Sequence, residues 1–161
     1  MIGWAKQLIL VLFFFLLAVL QTSFFGKFNF FGAAPNLIFI LFFLIAFFEQ
    51  PKSHFESLVA AIAAGIFLDI FSVSYIGVSI ALLFLIIIFT KAALEFLREP
   101  NEKHPVFYFI PIFILSILFY EVALNAIFYF SKISNSIFYL NWALFLRVAA
   151  NTLLATLGFY A

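Results

Sequence analysis

The chain has 161 residues, of which 68% are hydrophobic, 22% aromatic and only 9% charged, and its mean hydropathy is +1.27. Soluble domains carry about 25% charged residues, so this composition predicts an integral membrane protein. The absence of cysteine excludes disulfides and thiolate metal sites, two histidines are too few for a histidine-built metal centre, and a net charge of +1 gives no basic field for nucleic acid.

The charged residues divide the chain into apolar stretches, and we predict an all-α bundle of six membrane helices. A spanning helix needs about 20 mostly apolar residues. In chain order the predicted helices cover residues 8–25, 35–48, 57–71, 76–97, 106–130 and 141–160. The second begins at Pro35, because proline is tolerated in the first turn of a helix. We expect residues 1–161 to form a single membrane domain whose 28 phenylalanines mostly face lipid.

The most hydrophilic stretch of the sequence is residues 91–104, where we expect a solvated loop. Cytoplasmic loops of membrane proteins are enriched in lysine and arginine. With the N-terminus inside, the cytoplasmic side receives five such residues and the outer side two: Lys6, Lys52, Lys91, Arg98 and Lys103 against Lys27 and Lys132. This bias predicts a multi-pass protein with both termini in the cytoplasm.

Three ionisable residues within the predicted membrane helices require an explanation, namely Asp69, Glu121 and Arg147. Such residues are costly in a bilayer and are by default paired or functional. Asp69 ends a stripe of small and polar residues at every fourth position of the third helix: Ser57, Ala61, Gly65 and Asp69. Because small residues let membrane helices approach closely, the stripe is either a packing face whose aspartate caps the next turn or a surface for a partner or substrate.

Glu121 and Arg147 are expected at similar depths, about 10–13 Å from the same end of the bundle. Their opposite charges predict an intramembrane ion pair, with Asp69 as the rival partner of Arg147. Asn125 and Asn151 each follow one of these charges by four residues. We expect the two amides to supply further hydrogen bonds, so that the four residues form a polar network.

The sequence contains no recognisable catalytic set. His54 and His104 lie in predicted loops beside acidic residues, without the spacing of a catalytic triad. A small membrane enzyme would have to use the three charges within the helices. We therefore predict a protein that is not an enzyme and that holds no metal or other cofactor, and that acts through helix faces, loops or an internal cavity.

The segment between the third and fourth predicted helices resembles the signature of the bacterial rod shape-determining protein MreD family. Members carry a turn of the type G-x-x-x-D-x-x-S-x-S-x-x-G between two central membrane helices, which this sequence matches at Gly65, Asp69, Ser72, Ser74 and Gly77. The opening Pro35-Asn36-Leu37 is similar to the family's Pro-Asn or Pro-Asp opening of the second helix, and Gln21 also fits.

The resemblance implies a subunit of the cell-elongation (rod) complex in the bacterial inner membrane, supporting cell shape and lateral peptidoglycan synthesis. MreD-like proteins associate with the bitopic protein MreC and, through it, with the MreB filament, the RodA glycosyltransferase and a class B penicillin-binding transpeptidase. Membrane lipid is the other expected partner, and nucleic acid is not. The candidate partner-binding residues are those of the stripe, the turn and the second-helix opening: Pro35, Asn36, Ala61, Gly65, Asp69, Ser72, Ser74 and Gly77.

MreD-like proteins have also been likened in fold to the substrate-binding subunits of energy-coupling-factor transporters, which supplies an alternative function. In that alternative the chain is a membrane subunit that holds a vitamin-sized ligand in an outward cavity, lined by residues such as Tyr139, Asn141 and Trp142. A scaffold subunit would instead bind another membrane protein and no small molecule.

Overall fold

The computed structural model describes residues 2–25, 34–49, 55–72, 75–97, 106–131 and 142–160. These residues form six α-helices and no strand, which confirms the predicted all-α class. The first helix continues as a π-helical turn over Gln21–Phe25. The helices are α1 (Ile2–Leu20), α2 (Leu37–Phe48), α3 (Phe55–Ser72), α4 (Val78–Leu97), α5 (Val106–Phe130) and α6 (Trp142–Tyr160).

The first two helices begin at residues other than those predicted. Helix α1 begins at Ile2, six residues before the predicted start, because Lys6 is accommodated on an exposed helix surface with 69% of its side chain accessible. Helix α2 begins at Leu37 because Asn36 is its N-cap, with the Asn36 Oδ1 accepting the Phe39 N–H at 3.0 Å. Pro35 is therefore buried just before the cap and does not lie in the first helical turn.

Four of the described helices are long and apolar enough to cross a membrane, as spans over Trp4–Phe24, Val78–Leu97, Val106–Phe130 and Trp142–Tyr160. Helix α3 has 18 residues and is not among these four spans. Helix α2 has only 12 residues, which corresponds to about 18 Å, whereas the hydrocarbon core is about 30 Å thick. Of the six predicted membrane helices, four are therefore long and apolar enough to cross a membrane.

The short helix α2 lies at the centre of the bundle and contacts each of the other five helices. It is apolar all round, as expected of a helix surrounded by protein. Its aromatic side chains meet those of α5 edge-on, with ring centroids 5.0 Å apart for Phe43–Phe113 and 5.1 Å for Phe47–Phe109. The expectation that most of the phenylalanines face lipid does not extend to this core, whose largest fully buried side chains include six phenylalanines: Phe14, Phe39, Phe42, Phe43, Phe109 and Phe113.

Two ion pairs hold neighbouring helices together at one end of the bundle, which we call the Lys6 end. Lys6 Nζ lies 2.5 Å from Glu56 Oε1, joining the starts of α1 and α3. Lys91 Nζ lies 3.7 Å from Glu49 Oε2 and donates to the Glu49 carbonyl at 2.9 Å, joining α4 to the end of α2. Lys91 is helical and only 5% exposed, so its assignment to a solvated loop is wrong: the buried Glu49 compensates its charge.

Candidate functional site

Asp69 caps the start of α4 across the turn that separates α3 from α4. Its Oδ2 accepts the Gly77 N–H at 2.6 Å and its Oδ1 accepts the Ser79 N–H at 2.9 Å. These are N–H groups that a helix leaves without an internal partner at its start. Gly77 has φ of +104°, a conformation that side-chain-bearing residues rarely adopt, so the turn requires glycine there. Asp69 therefore fixes the turn between α3 and α4.

The small-residue stripe on α3 brings α3 and α4 into close contact. A Cβ atom added to Gly65 would lie 2.7 Å from the Ile80 nitrogen and 2.8 Å from its Cα, which leaves room only for glycine. Ala61 is fully buried and Asp69 is 1% exposed. These three candidate partner-binding residues are thus covered by the chain itself, and a partner would reach the motif only through its exposed neighbours. The Ser72 side chain and Ser74 lie outside the described residues.

From the capped turn, hydrogen bonding continues into α5. The Ser79 hydroxyl lies 3.0 Å from the Tyr120 hydroxyl, and both residues are buried. The Tyr120 ring also packs on Phe39 of α2, with the ring centroids 5.2 Å apart. Because buried hydroxyl groups need a partner, this contact ties the α3–α4 turn to the residue immediately before Glu121.

The predicted ion pair between α5 and α6 is present. Arg147 Nη1 lies 3.3 Å from Glu121 Oε2, with side-chain exposures of 36% and 11%. The Arg147 Nε is buried and makes no hydrogen bond to the part of the chain that the structure describes. The guanidinium therefore uses only part of its donor set within the described chain.

Both asparagines of the predicted network supply further hydrogen bonds, and their partners are main-chain atoms. Asn125 donates to the Glu121 carbonyl and Asn151 to the Arg147 carbonyl, each at 2.8 Å. A polar side chain four residues on in a helix readily reaches the carbonyl of the preceding turn. The Oδ1 of Asn151 also accepts the Asn36 N–H at 2.7 Å, which joins α6 to the start of α2.

A cavity of about 170 Å³ lies where these contacts converge. At its α1 side, the Gln21 Oε1 accepts the Ile38 N–H at 3.5 Å. The fold thus brings the separate sequence features Gln21, Asn36, Glu121 and Arg147 around one cavity, beside Tyr120. Among the described residues there is no group of three histidines or carboxylates that could hold a metal ion. The polar lining consists of hydrogen-bonding groups without a nucleophile–base pair.

The family model described as rod shape-determining protein MreD matches residues 4–159 of the 161-residue chain. The chain belongs to the MreD family. The match contains the whole motif from Gly65 to Gly77 and all four residues of the predicted polar network. This MreD protein is thus a shape-determining membrane protein. No curated protein and no solved structure gave a match.

Sequence analysis missed a buried polar cluster at the Lys6 end of this MreD protein. The Glu49 Oε1 accepts the Glu56 N–H at 2.8 Å, and its Oε2 accepts the Ser57 N–H at 3.1 Å and the Ser57 hydroxyl. Glu49 therefore caps α3 as Asp69 caps α4, while Lys91 compensates its charge. The sequence feature that could have predicted this cluster is Lys91, which lies about four turns into the apolar helix α4. A lysine at such a position needs an acidic or other acceptor group beside it.

Of the candidates for a ligand site near the start of α6, Trp142 lies within the described residues. Trp142 is 74% exposed, and Tyr139 and Asn141 fall outside the described residues, as do His54 and His104.

Proposed function

We propose that this MreD protein is a non-enzymatic membrane subunit of the bacterial cell-elongation complex. It resides in the cytoplasmic membrane and binds the membrane helix of an MreC-like bitopic protein. Through that protein it acts with an MreB-like filament, a RodA-like glycosyltransferase and a class B penicillin-binding transpeptidase in lateral peptidoglycan synthesis. The observation that carries this proposal is the family match over residues 4–159, which covers nearly the whole chain.

The proposed contact surface lies beside the MreD motif. Because Asp69 and Gly65 are covered by α4, they act by fixing the α3–α4 turn. The residues that this turn presents outward are large and apolar: Ile70 is 57% exposed, Tyr75 56% and Ile76 81%. Large apolar side chains beside the capped start of α4 suit packing against the membrane helix of a partner, where association depends on close van der Waals contact.

The cavity beside Arg147 favours a scaffold over a transporter subunit. Its volume is about 170 Å³, whereas pockets for small molecules usually measure about 300–1,000 Å³. Most of the polar residues that line it already have a partner in the protein, as in the Glu121–Arg147 and Asn36–Asn151 contacts. A vitamin-sized ligand would have to displace these bonds, so the size and pairing of the cavity support partner binding.

The proposed orientation has both termini in the cytoplasm, with the Lys6 end on that side. Lys6 pairs with Glu56 at this end. Lys91 is buried against Glu49 and therefore does not count as a loop residue. The basic residues that remain on the cytoplasmic side are Lys6, Lys52, Arg98 and Lys103, and those on the outer side are Lys27 and Lys132. The remaining bias still follows the positive-inside rule. A reporter enzyme active only outside the cytoplasm, fused after Ala161, should be inactive in this orientation.

The proposal is tested by cysteine cross-linking, since the chain has no cysteine of its own. The variant Ile76→Cys and the matched control Trp142→Cys are each co-expressed with an MreC-like partner that carries cysteines along its membrane helix. Trp142 is similarly exposed, at 74%, but lies on α6. Co-purification of the partner with a disulfide at Ile76→Cys and none at Trp142→Cys is expected. Co-purification with a disulfide at Trp142→Cys and none at Ile76→Cys would refute the proposed contact surface. Failure of the partner to co-purify would refute the proposed function.

A further inference from the structure

An apolar groove runs along the membrane-facing side of the bundle between α1 and α3, and we call it the α1–α3 groove. Its volume is about 400 Å³. Lys6 and Glu56 lie at one end of the groove and Phe13 at the other, and seven helical residues separate Lys6 from Phe13, or about 10 Å. The apolar lining consists of Ile9, Leu10, Phe13, Ile45, Phe55 and Val59.

The mouth of the groove carries two opposite charges side by side. Lys6 Nζ and Glu56 Oε1 are 2.5 Å apart, and their side chains are 69% and 49% exposed. An ammonium group has three donors and a carboxylate several acceptor positions, so each group can bind a further partner while the pair is intact. The groove floor, in contrast, is formed by aliphatic and aromatic side chains.

We infer that the α1–α3 groove binds a phospholipid whose head group carries both a phosphate and a primary ammonium, as in phosphatidylethanolamine. The phosphate accepts hydrogen bonds from Lys6, the ammonium donates to Glu56, and an acyl chain lies along Ile9, Phe13 and Val59. Charge complementarity selects this occupant. An anionic head group without an ammonium brings no positive charge to the Glu56 carboxylate, and a choline head group has no N–H to donate to it. The site is independent of the proposed partner surface on the α3–α4 turn.

Native mass spectrometry of the purified protein tests the inference. The probe is an equimolar mixture of dioleoyl phosphatidylethanolamine, phosphatidylcholine and phosphatidylglycerol, so that only the head groups differ. Phosphatidylethanolamine should be retained about two- to fivefold more than either competitor, as expected for exposed ionic contacts. Glu56→Gln should abolish the preference. The matched control Glu95→Gln, which changes an exposed glutamate in the last turn of α4, should keep it.

A second variant tests the groove without touching its charges. Val59→Trp fills the groove and should abolish lipid retention at this site, whereas Ile62→Trp, at a 46% exposed position on α3 outside the groove lining, should not. Equal retention of the three lipids, preference for phosphatidylglycerol, or a preference that survives Glu56→Gln and Val59→Trp would each overturn the inference.

Discussion

Asp69 and Gly77 are bonded directly across the α3–α4 turn, with the carboxylate Oδ2 accepting the Gly77 N–H at 2.6 Å. The aspartate and the last glycine of the MreD motif are thereby held together. The second carboxylate oxygen bonds to Ser79, whose hydroxyl contacts Tyr120 of α5. The motif thus caps α4 and links the turn to the core.

Replacing Asp69 should destabilise the fold through the loss of this cap. Asp69→Ala leaves the N–H groups of Gly77 and Ser79 without their acceptor, and we expect the free energy of unfolding to fall by about 1–3 kcal/mol. Asp69→Asn keeps one acceptor oxygen and should lose less. Unfolding in mixed detergent micelles measures both, with the exposed Glu95→Ala on α4 as the control. Wild-type stability of Asp69→Ala would contradict the capping role.

Gly65 and Gly158 offer a matched pair of glycine-to-alanine substitutions. At Gly65 the new methyl group meets the Ile80 backbone at 2.7–2.8 Å, so α3 and α4 must separate and we expect a loss of about 1–3 kcal/mol in the free energy of unfolding. At Gly158 the nearest atom is the end of the Leu44 side chain at 3.1 Å, which can move. Gly158→Ala should therefore cost less than Gly65→Ala in the same unfolding assay, and the opposite order would contradict the packing described.

The Glu121–Arg147 pair should show coupling in a charge-swap experiment. Glu121→Arg and Arg147→Glu each place like charges together between α5 and α6, so each single variant should be less stable than the wild type. The double variant restores opposite charges and should be more stable than either single variant. A double-mutant cycle of unfolding free energies gives the coupling. A double variant no more stable than the weaker single variant would argue against the pairing.

Patterns within single helices predicted much of the polar site. The spacing of charged residues along the chain predicted α5 and α6. The similar depths expected for Glu121 and Arg147 in the membrane predicted their ion pair, which the structure contains. Contacts between distant segments were not predictable in this way: Asn36 meets Asn151 across 115 residues, and Lys91 meets Glu49 across 42. Hydropathy alone also gave no reason to place α2 at the centre, because lipid and protein interior accept the same phenylalanines.

The two lysine ion pairs at the Lys6 end should respond differently to mutation. Lys91→Met leaves the buried Glu49 carboxylate without its counter-charge, and we expect a loss of about 3–5 kcal/mol in the free energy of unfolding. Lys6→Met removes an exposed partner of Glu56 and should change it by less than about 1 kcal/mol. Thermal unfolding of the two variants in one detergent compares them. Equal losses of stability in the two variants would contradict the buried contact between Lys91 and Glu49.

The bond between Asn36 and Asn151 can form only late in biosynthesis, after α6 has been made. Protein chains fold as they emerge, N-terminal segments first, yet the acceptor for the Asn36 N–H comes from the last helix, 115 residues later. While the ribosome is still synthesising the intervening helices, the start of α2 lacks this partner. A nascent chain released before α6 is synthesised therefore cannot form the bond that joins the start of α2 to α6, even when its first five helices are complete.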